Sequence, residues 1–363
     1  MAAVASLAWP DGSPVTLLLN YRPVLRQPTG IGVYANAVLP ALQELSHVLI
    51  PGGEEGGAAQ RLARLAWTQL ELPRLARRHR ASLIFTPAPE GYLGPQVIPQ
   101  VLMVHDLRPI SHPERSLQSL YFRTWVPPLL RGCRHVVTNS RFTADEIRRC
   151  TGLPAENLTV IPLGYDAARF TPATVSSHSD SRPYLLHVGQ AYPHKNLERL
   201  IQAFAWIAPH HPELQLVLAG KPHPTQSPRL QALVRQLGLQ HRVEFRAYVP
   251  FDALPALYQG AVALVYPSLW EGFGLPVLEA MACGTPVITS LGSGTEEVAA
   301  KAALLIDPRV TADLAAAMAA AATDAALRAR LRQQGLARAA AFSWAATAAQ
   351  TVHLLRGLLD GSN

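Results

Sequence analysis

Long apolar runs are missing from this chain. No stretch of about 18 or more hydrophobic residues occurs, so nothing in it is expected to span a membrane. Cysteine is nearly absent, and Cys133, Cys150 and Cys283 form no C-x-x-C pair. A disulfide framework and a cysteine-held zinc are thereby excluded, and a reducing cytoplasm is the expected setting. Lysine is as scarce: only Lys195, Lys221 and Lys301 occur, so arginine carries almost all of the formal +7 charge. Beside the many alanines this reads as compositional bias, and no nucleic-acid partner is expected. No Asp-x-Asp pair is present, so no metal site of that kind is expected. The first residues, MAAVASLAWPDGSP, lack the basic and apolar regions of a secretion signal. Charged residues make up only 16% of the chain against 49% hydrophobic, the balance of a protein that buries a core.

What is present is an alternation. Short apolar runs, VTLLLN, SLIFTP, VLMVHDL, HVVTNS and LTVIPLG, are separated by longer helical stretches in the first half. The second half repeats the pattern with YLLHVG, LQLVLAG, VEFRAYV, ALVYPS, PVITS and ALLID. Runs that are apolar on both faces suit strands of a covered parallel sheet, and strand alternating with helix predicts a doubly wound α/β fold. The Ser-rich, polar stretch 174–183 is the best linker. Two domains are therefore expected, 1–173 and 184–341, facing each other across a crevice where open α/β sheets bind ligands.

The stretch SLWEGFGLPVLEAMACGTPVITS places Glu271 and Glu279 eight residues apart around a glycine-rich turn. Pro276 suits the start of a helix. Glu279 then falls in its first turn, and the N–H groups of Phe273, Gly274 and Leu275 are free to meet an anion. Carboxylates accept hydrogen bonds and do not donate them, so sugar hydroxyls are their natural partners. A sugar, a diphosphate and a ribose together would use all of these groups. From spacing alone the plainer reading stays open, with Glu279 complementing the helix dipole and Glu271 solvated.

EGFGLPVLEAMACGTPVI resembles the E-x7-E segment of retaining glycosyltransferase family 4, whose fold is GT-B: two Rossmann-like domains. LLHVGQAYPHKNLERLI, TGIGVYANAVLPAL, VHDLRPISHP, VTNSRFTADEI and VIPLGYDAARF resemble further segments of the family. FSWAATAAQTVHLL resembles its closing helix, so 342–363 is expected to cross back to the first domain. The resemblance implies that Glu279 binds ribose, Glu271 and His105 the transferred sugar, and Lys195 the diphosphate. Gly30 and Gly32 would allow close backbone approach, and Gly189, Val249, Gly272, Phe273, Gly274 and Leu275 would complete the donor site. It implies no cofactor and no metal, only a GDP- or UDP-linked hexose as donor, with a lean toward mannose, and a glycan or lipid-linked acceptor. Many members carry arginine where this chain has Gln190 or His194, so a second cation for the diphosphate is left unassigned.

Two other functions remain open at this level. A glycoside hydrolase would use paired carboxylates but not Lys195, and a non-catalytic sugar-nucleotide module would have no need of Glu271 or His105. RLARLAWTQLELPRLARRHR, Arg61 to Arg80, is basic, leucine-containing and expected to be broken by Pro73. Such a segment suits peripheral attachment to an anionic membrane face, although a solvated helix face explains it as well.

Overall fold

The structure is a computed structural model that describes residues 16–25, 30–45, 47–52, 58–94, 98–113, 116–173 and 182–361. Most of the expected linker, 174–181, lies outside the described residues. Two compact units result, 1–164 with 344–363 and 165–343.

In the first unit β1 (Thr16–Asn20), β2 (His47–Ile50), β3 (Ala81–Thr86), β4 (Gln100–Val104), β5 (His135–Thr138) and β6 (Leu158–Val160) form one sheet. Its order is β2-β1-β3-β4-β5-β6, with every pairing parallel. β2 was not among the expected strands. It is a four-residue edge strand, HVLI, only partly buried at every position, and its apolar run is just the three residues Val48 to Ile50. The Trp344–Leu359 helix belongs to this unit, where Thr347 donates to the Pro162 carbonyl at 2.8 Å.

The second unit holds β7 (Tyr184–Val188), β8 (Gln215–Ala219), β9 (Val243–Arg246), β10 (Ala263–Tyr266), β11 (Val287–Ser290) and β12 (Leu304–Ile306). Its order is β12-β11-β10-β7-β8-β9, again all parallel, with Leu264 of β10 opposite both Leu186 of β7 and Val287 of β11. Read from β9, this is the 3-2-1-4-5-6 order of a dinucleotide-binding sheet, whose direction of winding reverses between β7 and β10. Its core forms because Leu197, Leu200, Ile201, Phe204 and Ile207 recur at helical spacing on the Leu197–Ile207 helix and are buried with Leu216, Val265 and Met318. Truncating Phe204 to alanine there would cost about 3–5 kcal/mol.

Two expected boundaries move. The units divide after Gly164 rather than after residue 173, because Phe170 packs edge-on against Phe251 and Tyr258, and Gln259 donates to the Thr171 carbonyl at 2.7 Å. Pro73 does not break its helix, which runs unbroken over Ala58–Arg78. Leu72 and Ala76 are fully buried, and Arg64 and Gln69 are tied to the 90–93 segment, so packing outweighs the lost backbone bond.

Candidate active site

Ligands of open α/β sheets gather at the carboxyl ends of the strands where winding reverses. In the second unit that place is the end of β7 beside the end of β10. β7 runs into Gly189 and a tight turn at Pro193–Lys195. Asn196 follows in the left-handed region at φ 60°, and its amide donates to the carbonyls of Pro267 at 3.2 Å and Pro308 at 2.7 Å. The N–H of Leu269 donates to the His194 carbonyl at 2.7 Å. The turn carrying Lys195 is thus fastened to the loop that leaves β10.

Lys195 Nζ donates to Glu271 Oε1 and to the Tyr266 hydroxyl, both at 2.6 Å. The Lys195 and Glu271 side chains are only 12% and 13% exposed. Burial alone would push the ammonium pKa down, but Glu271 and Tyr266 outweigh it, and the net shift is upward. Beneath the pair, the His187 ring stacks on Tyr266 at 5.3 Å and 12°. His187 Nδ1 lies 3.1 Å from the Val265 carbonyl, which can only accept, so the proton sits on Nδ1 and Nε2 keeps a lone pair. Burial, aided by the Lys195 charge, holds its pKa down to about 4. Gly189 has φ 153°, and a side chain there would start 3.4 Å from His187 Nε2 and 3.9 Å from Lys195 Nζ.

The loop from Ser268 to Gly274 is shaped by two glycines. A Cβ on Gly294 would lie 2.2 Å from the Gly272 carbonyl, and the Gly294 N–H donates to the Glu271 carbonyl at 2.9 Å. Gly274 has φ 103° and precedes the Leu275–Ala282 helix, with Pro276 in its first turn. Among the described residues the N–H groups of Phe273, Gly274 and Leu275 meet no acceptor. Glu279 is not in the first turn, as expected, but one turn further in. The reason is that the helix starts at Leu275, where the Gly274 carbonyl already accepts from Val277. Tyr258 donates to Glu279 Oε2 at 2.9 Å. Burial nevertheless raises the Glu279 pKa to about 7, and the Tyr258 bond opposes it only in part.

The remaining expected residues lie elsewhere. Val249 follows β9 by three residues and precedes the turn at Phe251–Ala253. His105, Gly30 and Gly32 belong to the first unit. His105 directly follows β4, and its Nε2 faces the Pro87 carbonyl at 3.2 Å, so Nδ1 keeps the lone pair; burial lowers its pKa to about 4. Gly30 opens the Gly30–Leu42 helix, where an added Cβ would meet nothing within 4 Å, and Gly32 is buried inside that helix. Asp106 accepts from the Arg108 N–H at 3.0 Å and so caps the turn that follows.

Sequence reasoning missed Tyr266, Tyr258 and His187. The usable signal was that YLLHVG and ALVYPS each place a polar ring near the end of a buried strand. Among the described residues no three of His, Cys, Asp and Glu gather to hold a metal ion. No described helix is long and apolar enough to cross a membrane.

Comparison with known proteins supplies the context. Residues 173–338 match the family described as Glycosyl transferases group 1, and residues 29–169 match Glycosyltransferase Family 4. O-antigen chain mannosyltransferase RfbU of Salmonella typhimurium is 34% identical over 210 residues, spanning 58% of this chain and 57% of that protein. O-antigen chain mannosyltransferase B of Escherichia coli is 30% identical over 278 residues, spanning 73% of this chain and 72% of that protein. The structure of sucrose-phosphate synthase from Thermosynechococcus elongatus superimposes with a TM-score of 0.79 at 22% identity, covering 96% of this chain and all of that one.

Proposed function

The chain belongs to glycosyltransferase family 4 and has the GT-B fold, and from that premise we propose that it transfers a hexose from a nucleoside diphosphate sugar to a hydroxyl of a glycan or lipid-linked acceptor, with retention. The observation that carries the reading is the buried Lys195–Glu271 pair at the winding reversal of the second sheet, beside the start of the Leu275–Ala282 helix. Breaking the sugar–phosphate bond builds negative charge on the leaving diphosphate. A fixed ammonium and unpaired N–H groups at a helix start stabilise that charge without reorganising. Glu271 takes the transferred sugar, and Glu279, one turn into the helix, takes the ribose hydroxyls. The neutral His105, its tautomer fixed by Pro87, offers Nδ1 to the transferred sugar.

Mannose is the preferred sugar, since RfbU and the E. coli relative are named as O-antigen chain mannosyltransferases. The nucleotide is GDP or UDP. No metal is needed in this scheme, because Lys195 and the helix start supply the positive charge. A hydrolase reading is disfavoured by the same pair: Glu271 is tied to an ammonium that glycoside hydrolysis does not call for. The Ala58–Arg78 helix, with Leu62 and Leu70 more than half exposed beside Arg61 and Arg78, supports peripheral attachment to an anionic membrane from the cytoplasmic side.

The test is a thermal-shift screen against GDP-mannose, GDP, UDP-glucose and UDP, followed by assay of nucleotide release with and without an acceptor glycan. Stabilisation by one nucleotide series and acceptor-dependent release are expected. No stabilisation by any of the four ligands, or nucleotide release that does not depend on an acceptor, would refute the reading.

A further inference from the structure

Two side chains hold Lys195, and only one of them is charged. The Tyr266 hydroxyl accepts from Nζ at 2.6 Å. The Lys195 ammonium therefore donates to two partners at once, the Glu271 carboxylate and the Tyr266 hydroxyl.

The tyrosine is the rigid one of the two partners. It is the last residue of β10, is only 2% exposed, and has its ring face on His187 at 5.3 Å. Lys195 stands on a long flexible stem. Glu271 sits in a loop with no regular structure, so neither can fix the other. We propose that Tyr266 is a positioning residue that holds the Lys195 ammonium at the diphosphate-binding point, an inference that rests on the reading of Lys195 as the diphosphate ligand. An ammonium has three donors, and Tyr266 and Glu271 take two. The third is then held in a defined direction before any ligand arrives, so binding does not have to order a free lysine. The arrangement predicts where the loss falls: without the hydroxyl the cation survives, but its direction does not.

The experiment compares nucleotides that differ by one phosphate. Calorimetric affinities of GDP against GMP, and of UDP against UMP, are measured for the wild type, Tyr266→Phe and Lys195→Met. Phenylalanine keeps the ring on His187, so a general softening of the sheet would weaken both members of a pair alike and leave their ratio unchanged. Expected is a fall in the diphosphate-to-monophosphate preference of about 5- to 10-fold for Tyr266→Phe, the scale of one typical intramolecular hydrogen bond, and a larger fall for Lys195→Met. If Lys195→Met lowers the preference and Tyr266→Phe does not, the positioning role is wrong while the diphosphate reading stands. If Lys195→Met leaves the preference intact, the diphosphate reading is wrong and the role of Tyr266 falls with it.

Discussion

Glu279 is the best place to test the site, because its carboxyl has two opposed effects on the protein. Its pKa is raised from the ordinary 4.5 to about 7, chiefly by burial. The folded protein therefore keeps this proton over a range of pH in which the unfolded chain has already lost it. Stability must fall as pH rises from about 4.5 to about 7, and the loss is complete above 7. A shift of this size is worth about 3 kcal/mol. For a unit the size of 165–343 that is about 6–12 °C in melting temperature. Glu279→Gln keeps the shape and cannot ionise. Calorimetric melting of both proteins between pH 4.5 and 8 should show the variant gaining on the wild type as pH rises. Every other titrating group is common to the two proteins and cancels in the difference.

Ligand binding should move the other way. Ribose hydroxyls donate to the ionised carboxylate better than to the acid, so affinity for the bare nucleoside diphosphate should rise with pH through about 7 in the wild type. In Glu279→Gln it should be weaker and free of that rise. Melting curves that run parallel for the two proteins would refute the burial argument. A pH-dependent melting difference beside an affinity that does not change with pH would refute the ribose assignment alone.

Glu271→Gln should slow transfer yet tighten binding of the bare nucleoside diphosphate by about 3- to 10-fold, because the ligand replaces the negative charge that Lys195 has lost; unchanged or weaker binding, measured calorimetrically, would count against the competition between Glu271 and phosphate. Transfer should survive excess EDTA; activity abolished by chelation and restored by magnesium or manganese would overturn the electrostatic scheme. Replacing Arg74, Arg77, Arg78 and Arg80 with glutamine should weaken binding to anionic vesicles, most at low salt, where charges are least screened. Since Arg74 already pairs with Glu71, it should contribute least, and vesicle binding unchanged in the quadruple variant would dismiss the membrane proposal.

The fold was legible where the chain buries strands on both faces. LVLA and ALVY are covered above and below, and such runs stand out against polar turns. β2 was not legible, because its apolar run of Val48 to Ile50 is short and lies on a partly buried sheet edge. Glu271, Glu279 and Lys195 could be named because a glycine-rich turn beside a helix start restricts what chemistry fits. Their partners could not. Tyr266 and Lys195 are 71 residues apart in sequence and meet only because β7 and β10 are neighbours in the sheet. The register of Glu279 was misjudged for a local reason: a glycine at φ 103° starts the helix one residue before the proline, a choice that composition does not reveal.

The Lys195–Glu271 pair also resolves how one loop can hold both carboxylate and phosphate. A lysine buried without a counter-charge, whether from the protein or from a bound ligand, is driven toward its neutral form. Glu271 and Tyr266 prevent that, so the ammonium stays charged across the pH range in which Glu279 titrates. A carboxylate offers about four lone-pair sites and an ammonium three protons, and the contacts of Lys195 use one of the former on Glu271 and two of the latter. Each group is left with capacity for the donor, a proton for the phosphate on one side and lone pairs for sugar hydroxyls on the other. In the proposed reaction the scissile sugar–phosphate bond would therefore lie against the contact between Lys195 and Glu271, where the two halves of the donor are held by the two halves of one ion pair.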